Sequence, residues 1–413
     1  MASGVPASSG ILASSSSSSS SSSLSSGLPP PPPPPKILLA KPAGAAIAPR
    51  LGREDDPSGV VHRSRNAPQP GSLNLLSDSW EFHTDRILPF LTENTDFTVI
   101  GIIGPPGVGK STIMNELYGF DGSSPGMLPP FATQSDETRA MAKHCTTGIE
   151  LRVSAERLIL LDSQPIFSPS ILLDMMKSDS SSSVPVLNGE TLSADLAHEL
   201  MGIQLGVFLA SVCNILLVVS EGIHEFSMWQ LMLTVDLLKH GIPDPSLLTS
   251  AHSQHSSSAL EKEKKGNVQA TSEEFSAALV FAHSKLQTPD LSPSNSLLLR
   301  KALPQFFGSS SFKVSKTGSS SSNIMAGDDS GQADMFLLPI KVHNSQGAQS
   351  DSYSSMIGKL RDEILSMNGH PFARNISERE WLRNSAKIWE LVKKSPIISS
   401  YCRTLQGSGL FRK

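Results

Sequence analysis

An α/β fold with a mostly parallel β-sheet flanked by helices is predicted by three features of the sequence. Short apolar runs of strand length alternate with longer segments of helical periodicity. The first β-branched run, 97–103, ends at a glycine-rich turn that leads into a helical segment at 111–118. Residues 1–72 are too rich in serine and proline to bury a core, so the fold is expected to begin after them.

The individual elements follow from the spacing of apolar residues. Runs of β-branched and aliphatic residues predict strands at 97–103, 149–153, 158–161, 214–219, 279–281 and 335–340. Apolar residues spaced three or four apart predict helices at 80–88, 111–118, 194–212, 226–239, 353–366 and 377–394. Asp78 is the expected N-cap of the first helix and Pro89 its expected stop. Ser377 and Glu380 form a capping-box pattern for the last.

Composition divides the chain into three regions. Residues 1–72 contain a serine run and a proline block, and they are expected to form a disordered tail. Residues 73–345 carry the alternating strands and helices, and residues 346–413 are expected to be helices packed on the same domain. Polar, serine-rich stretches are predicted to be mobile insertions at 178–183, 249–276 and 308–330.

Composition also narrows the classes of function. The net charge of −4 gives no basic surplus for a nucleic-acid-binding face, so a protein partner is expected. Cys145, Cys213 and Cys402 lack the spacing of a disulfide framework or a zinc site. The apolar runs are too short to span a membrane. We expect a cytoplasmic protein, with a nuclear location also open, and favour this over an organelle transit peptide at the acid-free N terminus.

The turn after the first strand fits the phosphate-binding pattern GxxxxGK[ST]. Successive backbone N–H groups of such a loop surround a phosphate, and the next helix adds the positive end of its dipole. Lys110 is expected to bridge the outer phosphates, and the Ser111 hydroxyl to bind Mg²⁺. The predicted nucleotide-binding residues are Gly104, Gly107, Val108, Gly109, Lys110, Ser111 and Thr112. The fold is therefore predicted to be a G-domain-like P-loop NTPase fold holding ATP or GTP/GDP with Mg²⁺; a plain Gly/Pro surface turn is the alternative.

Two further positions are candidates for the metal site. Asp162 ends the apolar run 158–161, where a P-loop protein places a carboxylate near Mg²⁺, although a strand-end cap is also open. Thr146 and Thr147 lie between this strand and the loop, where a switch threonine would reach the ion; a short polar loop is an equal alternative. Ser111, Thr147 and Asp162 are the predicted metal ligands.

Several positions depart from a hydrolytic GTPase. Pro165 has no N–H and stands where such enzymes use a glycine N–H on the γ-phosphate. Ile166 replaces their water-orienting glutamine. Gln287 replaces the aspartate that selects guanine, so the base is open. Lys285 is expected to pack on a base or ribose, or to be an ordinary surface lysine. No catalytic residue is assigned.

The last predicted helix carries an apolar stripe formed by Trp381, Ser385, Ile388, Trp389 and Val392. Core packing is the favoured interpretation of such a stripe. A partner-facing surface is the alternative, because tryptophan is enriched at interface hot spots.

Together these motifs resemble the SMG-nine family of nonsense-mediated mRNA decay, whose members have a degenerate dynamin-like G-domain. The matching residues lie at 99–112, 146–149, 157–172 and 381–395, and Asp-Ser-Gln-Pro-Ile at 162–166 is the most diagnostic stretch. The resemblance covers residues 75–405, apart from the insertions. It implies pairing with the eighth SMG factor, and restraint by that pair of a PI3K-related protein kinase that phosphorylates the Upf-one helicase.

The resemblance also implies a nucleotide that is held without robust hydrolysis. The alternative is a working Mg²⁺-dependent NTP hydrolase, either GTPase or ATPase, with partner-assisted catalysis. A small-molecule kinase or an AAA-type motor can carry a similar loop. However, no Asp-Glu pair follows the run 158–161, and no acceptor-site arginine lid is evident.

Overall fold

The computed structural model describes the chain at residues 73–120, 127–177, 192–251, 274–312, 335–341, 348–367 and 371–409. All of these residues belong to one compact unit, Ala67–Lys413. The predicted tail, the insertion predicted at 178–183, and residues 252–273 and 313–330 of the other two predicted insertions lie outside the described residues.

Seven strands and ten α-helices alternate along the described part of the chain. The strands are β1 (Asn74–Leu76), β2 (Thr98–Ile103), β3 (Ile149–Val153), β4 (Leu158–Ser163), β5 (Ile215–Glu221), β6 (Ala278–Leu286) and β7 (Met335–Pro339). The helices are α1 (Thr84–Ile87), α2 (Lys110–Tyr118), α3 (Asp136–Ala140), α4 (Pro169–Lys177), α5 (Ala194–Val212), α6 (Ser227–Leu238), α7 (Pro293–Phe306), α8 (Ala348–Ser366), α9 (Glu378–Lys393) and α10 (Pro396–Gly407). Short 3₁₀ helices span Leu88–Phe90 and Pro245–Ala251.

The strands form a single sheet in the order β1-β3-β4-β2-β5-β6-β7. The five strands from β4 to β7 in this order are parallel. Strands β3 and β1 are antiparallel at one edge. β3 runs antiparallel to β4 because only the turn 154–157 joins them, and a parallel crossover needs a much longer connection. The predicted mostly parallel α/β fold is confirmed.

Helices cover both faces of the sheet and divide the core into two layers. Along β2, Val99 and Ile103 point to the layer that holds α5, α6 and α9. Ile100 and Ile102 point to the opposite layer, which holds α2 and α8. This alternation is the two-residue period of a strand that is buried on both faces. Within the residues that the structure describes, no helix combines the length and the apolar character needed to cross a membrane.

The stripe on α9 lies in the core, so the partner-facing interpretation is wrong. Its five side chains are at most 1% exposed. The indole N–H of Trp389 donates to the carbonyl of Trp80 at 3.2 Å, and the two rings stack with centroids 5.4 Å apart. Trp381 donates to the carbonyl of Val212, the last residue of α5, at 2.9 Å. The predicted capping box at the start of α9 is confirmed.

The helix predicted at 80–88 is wrong over its first turn. Trp80 lies in a turn with φ +63°, and the helix α1 covers only Thr84–Ile87. Asp78 therefore caps no helix. Stacking on Trp389 and burial to 4% exposure hold Trp80 in this conformation, so a tertiary contact overrides the local helical spacing.

The edges of two predicted insertions are also part of the core. Phe275, in the stretch 249–276, is 7% exposed, and Phe312, in the stretch 308–330, is 3% exposed. Ser310 and Ser311 further bind the Asp236 carboxylate on α6. The average composition of each stretch is polar, so it does not reveal a single aromatic residue at one edge. Burial of one phenyl ring outweighs the exposure of several serines, and that residue therefore joins the core.

Strand β1 and the helices α3, α4, α7 and α10 are not among the predicted elements. β1 is three residues long and α3 is five, which is too short to show a period. Strand β6 has nine residues, whereas the prediction covers only 279–281. The prediction is too short because several residues in the last part of the strand are polar.

We expect Trp389→Ala to lower the free energy of unfolding by about 3–5 kcal/mol, because it removes a fully buried indole and its bond to Trp80. Leu391→Ala on the same helix is the control, since Leu391 is 41% exposed. Urea unfolding followed by circular dichroism measures both. Equal losses in the two variants would contradict this role for the stripe.

Candidate functional site

The glycine-rich loop connects β2, the central strand of the sheet, to helix α2. Gly107 and Gly109 have φ values of +77° and +91°, in the left-handed region that favours glycine. A Cβ atom added to Gly104 would lie 2.4 Å from the carbonyl oxygen of Val219 on β5. Glycine at these positions therefore lets the chain turn tightly at the carboxyl ends of the parallel strands, where α/β proteins bind ligands.

Of the remaining predicted loop residues, Val108 lies in the core, and Ser111 and Thr112 lie at the edge of the candidate site. The Val108 side chain is 2% exposed and packs in the layer below the loop, so only its backbone faces the candidate site. Ser111 and Thr112 lie in the first turn of α2 and are half-buried. The N-terminus of this nine-residue helix adds a positive partial charge beside the loop.

Lys110 folds over the loop instead of pointing into solvent. Its Nζ donates to the carbonyl oxygens of Gly104 and Pro105, both at 3.0 Å. The residue is 7% exposed. Burial lowers the pKa of Lys110 to about 8, although the Asp162 carboxylate opposes this shift. The loop thus holds a positive charge where the outer phosphates of a nucleotide are expected.

Asp162 joins the loop to β4 through hydroxyl groups. Its Oδ2 accepts hydrogen bonds from Ser111 Oγ at 2.7 Å and from Thr146 Oγ1 at 3.0 Å, and these two hydroxyl oxygens are 3.3 Å apart. Asp162 is fully buried, and burial raises its pKa while Lys110 and the two hydroxyls oppose the shift. Its Oδ1 atom is buried without a hydrogen-bond partner in the described part of the chain.

This cluster fits a small, hard cation such as Mg²⁺. Ser111, Thr146 and Asp162 provide oxygen atoms only, which Mg²⁺ prefers, and Oδ1 of Asp162 is an unused acceptor. The described residues include no group of three or more His, Cys, Asp and Glu arranged to hold a metal ion. An ion held here would take most of its ligands from phosphate and water, as Mg²⁺ commonly does in nucleotide sites.

Of the two adjacent threonines, Thr146 and not Thr147 lies in this cluster. Thr146 is buried and bonds to Asp162, whereas Thr147 is half-buried and forms no hydrogen bond to Ser111 or Asp162. The structure therefore brings Thr146, and not the predicted ligand Thr147, to the Asp162 carboxylate. Motif spacing locates the segment, but backbone direction decides which of two neighbouring side chains turns inward.

The segment after β4 is fastened to its surroundings. The Gln164 side chain accepts from the Gly148 backbone N–H at 2.9 Å, and the Gln164 backbone N–H donates to the Gly148 carbonyl at 2.8 Å. Ile166 is 2% exposed, and its N–H donates to the Gly104 carbonyl at 3.2 Å. Ile166 therefore has neither a polar side chain nor a free N–H to position an attacking water, and Pro165 before it has no N–H.

Lys285 lies at the rim of the loop, within β6 and not after it. Its φ of +57° and a register shift between β6 and β7 mark an irregularity at this point of the strand. A Cβ atom added to Gly107 would lie 3.7 Å from Lys285 Nζ. Nζ also pairs with Glu221 Oε2 at 2.9 Å. Sequence reasoning missed Glu221, for which a polar residue at the end of a neighbouring parallel strand was the only available signal.

Gln287 lies in the turn after β6 and is exposed. Its backbone N–H donates to Asp290 Oδ2 at 3.0 Å.

We expect Lys110 to titrate near pH 8, as seen in the carbon NMR signal of its Cε atom. Between about pH 8 and 10.5 the Lys110 amine is protonated in the unfolded chain but not in the folded chain. The free energy of unfolding should therefore rise with pH in that window. Lys110→Met assigns the signal and should flatten this rise. A Lys110 signal that titrates near 10.5 would contradict the buried position.

Comparison with known proteins identifies relatives along most of the chain. No protein-family profile matches it. The proteins named nonsense-mediated mRNA decay factor SMG9 from Salmo salar and Xenopus laevis are 28% and 27% identical over 357 and 390 residues. These matches cover 80% and 88% of this chain, and 67% and 72% of the relatives. The SMG9 of Caenorhabditis briggsae is 33% identical over 38% of both chains. This chain is therefore similar, along most of its length, to proteins named nonsense-mediated mRNA decay factor SMG9.

Proposed function

We propose that this chain is a nucleotide-binding regulatory subunit in nonsense-mediated mRNA decay. It pairs with the eighth SMG factor, and the pair binds and restrains a PI3K-related protein kinase that phosphorylates the Upf-one helicase. The names of the relatives support the role in mRNA decay. The observation that carries the nucleotide part is an intact phosphate loop beside a fastened switch segment.

The loop supports binding of a nucleoside di- or triphosphate with Mg²⁺. Lys110 places a positive charge inside the loop, and the N-terminus of α2 adds its dipole. Ser111, Thr146 and Asp162 offer hard oxygen atoms on one side of it. Bound Mg²⁺ would neutralise phosphate charge, while these side chains fix where the phosphates lie.

The segment after β4 supports holding of the nucleotide over rapid hydrolysis. Hydrolytic GTPases use this segment as a mobile switch that senses the γ-phosphate through a backbone N–H. Here Pro165 has no N–H, and the N–H of Ile166 already bonds to Gly104. Gln164 is bonded to Gly148 on both its side chain and its backbone. These bonds tie the segment to the loop and favour one conformation.

Helix α2 links the loop to the C-terminal helices. Arg361 on α8 donates to the carbonyl of Glu116, near the end of α2, at 2.9 Å. The same guanidinium binds both carboxylate oxygens of Glu156 in the β3–β4 turn, at 2.6 and 2.7 Å. A nucleotide that stabilises the start of α2 would therefore stabilise the layer that contains α8.

As a structural cofactor, the nucleotide stabilises the folded chain by mass action. A ligand present at one hundred times its dissociation constant contributes about 2.7 kcal/mol to the free energy of unfolding. A surface that docks a partner gains from this rigidity, because less conformational freedom is lost on association. The proposed role places the protein in the cytoplasm, where decay accompanies translation.

We expect Lys110→Ala to abolish nucleotide binding, because it removes the charge held inside the loop. Isothermal titration calorimetry of the purified chain with ADP or GDP and Mg²⁺ measures the loss, and mass spectrometry of protein purified from cells identifies the bound nucleotide. Lys301→Ala, at an exposed position, is the matched charge control and should bind normally. Unchanged affinity of Lys110→Ala would exclude the loop as the binding site.

We expect the chain to co-purify from cells with the eighth SMG factor and a PI3K-related kinase, and its addition to slow phosphorylation of an Upf-one peptide by that kinase. Lys110→Ala should weaken recovery of both partners, because the unliganded fold docks less well. Purification without either partner, or kinase activity that the pair leaves unchanged, would remove the regulatory part of the proposal.

The competing function is an active NTP hydrolase in which a partner supplies an arginine. Steady-state phosphate release distinguishes the two. Turnover that persists with partners present and disappears in Lys110→Ala would establish the hydrolase. Bound nucleotide without turnover above background is the result expected for the regulatory subunit.

A further inference from the structure

We propose that Glu221 and His283 are positioning residues for the nucleoside side of the site, where they hold Lys285 over the phosphate loop. The inference rests on the proposed nucleotide binding and deepens it. It adds one residue from β5 and one from β6 to a site whose recognised motif lies between β2 and α2.

The position of Lys285 results from an interruption of its strand. β6 pairs regularly with β7 as far as His283, and the register then shifts before Leu286. Lys285 lies within this shift and has φ +57°, a value that a side chain with Cβ adopts only under constraint. The irregularity places Nζ at the rim of the loop beside Gly107. A lysine here offers its apolar stem to a base or ribose.

The Glu221 carboxylate limits where the Lys285 ammonium can lie. Glu221 is the ladder partner of Ser284, so it lies beside the residue that precedes Lys285. Its Oε2 is 2.9 Å from Lys285 Nζ. The two side chains are 54% and 41% exposed, and an ion pair so open to water adds little to stability. Its main consequence is therefore geometric, because it restricts a long and flexible side chain to one region of the rim.

His283 fixes the backbone on both sides of Glu221. The residue is 1% exposed, and its Nδ1 lies 2.9 Å from the Gly222 carbonyl and 2.9 Å from Ser220 Oγ. A carbonyl can only accept, so Nδ1 carries the proton. The Gly222 N–H in turn donates to the Ser284 carbonyl at 3.0 Å. The start of the turn after β5 is therefore bonded to β6 from both directions, and Glu221, the last residue of β5, directly precedes it.

Burial of an imidazole at this position costs free energy of folding, so a contribution to stability does not explain why histidine is found here. Nε2 of His283 is buried and has no hydrogen-bond partner among the described residues. A valine or isoleucine would fill a buried strand position without leaving a polar atom unpaired. The bond from Nδ1 to the Gly222 carbonyl is what the imidazole provides and an aliphatic side chain lacks, and Gly222 directly follows Glu221, the partner of Lys285.

The positions of Glu221 and His283 predict which part of a bound nucleotide they influence. The loop and Lys110 bind phosphates, whereas Glu221 and His283 act only on Lys285 at the rim. Their loss should weaken the binding of nucleoside diphosphates and leave inorganic pyrophosphate unaffected. A general loss of structure would weaken both ligands alike.

Calorimetric titration of the full chain with ADP, GDP and Mg²⁺-pyrophosphate tests the inference. We expect Glu221→Ala to weaken binding of at least one nucleotide by about three- to tenfold, the value of one hydrogen bond, with pyrophosphate affinity within about twofold of wild type. His283→Gln should act in the same direction, because its amide nitrogen cannot reach the place of Nδ1. His283→Asn puts a donor near that place and should restore nucleotide affinity.

Thermal unfolding of each variant shows whether it is folded, and Glu221→Ala keeps the test decisive if the buried His283 variants unfold. Nucleotide affinity that is unchanged in Glu221→Ala overturns the inference alone. Equal weakening of nucleotide and pyrophosphate also overturns it. Wild-type protein that binds neither ligand removes the proposed nucleotide site and the inference with it.

Discussion

The parallel pairing of β2 with β4 is the constraint on which the candidate site depends. In this register Ile102 pairs with Asp162, so the carboxylate lies one residue from the end of the strand that enters the loop. It therefore meets Ser111 in the first turn of α2. The sheet places a buried carboxylate beside a buried ammonium, that of Lys110, and each opposes the desolvation of the other. Neither charge would remain buried without its partner.

The same arrangement limits what the site can do. The hydroxyls of Ser111 and Thr146 share one oxygen of Asp162, and the other oxygen is left as an acceptor suited to a cation. Around this polar centre, the bonds of Gln164 to Gly148 and of Ile166 to the loop replace the mobility that a hydrolytic switch needs. A loop with phosphate-binding geometry beside a bonded segment fits the proposed role of holding a nucleotide without rapid hydrolysis.

The C-terminal helices are integral to this construction. Trp389 on α9 packs against Trp80, which lies between β1 and α1, and Trp381 bonds to the end of α5. On the opposite layer, Arg361 of α8 bonds to the end of α2. Residues near the two ends of the described chain thus pack together in the layer of α5, and α2, the helix that begins at the glycine-rich loop, is bonded to α8 in the other layer. A ligand bound at the loop would stabilise helix α2, and the packing of α8 stabilises the same helix.

The α/β class, the glycine-rich loop and the course of most central strands and long helices follow from the sequence. Their signals are local: a fixed glycine pattern, unbroken β-branched runs and sustained helical periodicity. The sequence also located Asp162, Lys285 and the capping box of α9, because strand ends and caps have recognisable residue types.

Only the tertiary structure decided the remaining features. It turned Trp80 out of a helix to stack on Trp389, selected Thr146 over its neighbour, and buried aromatic residues at the edges of polar insertions. It also brought Glu221 to Lys285 from another strand. Each of these depends on contacts between residues far apart in the chain, or on backbone direction at a single residue. Composition and periodicity average over several neighbouring positions and therefore contain neither kind of information.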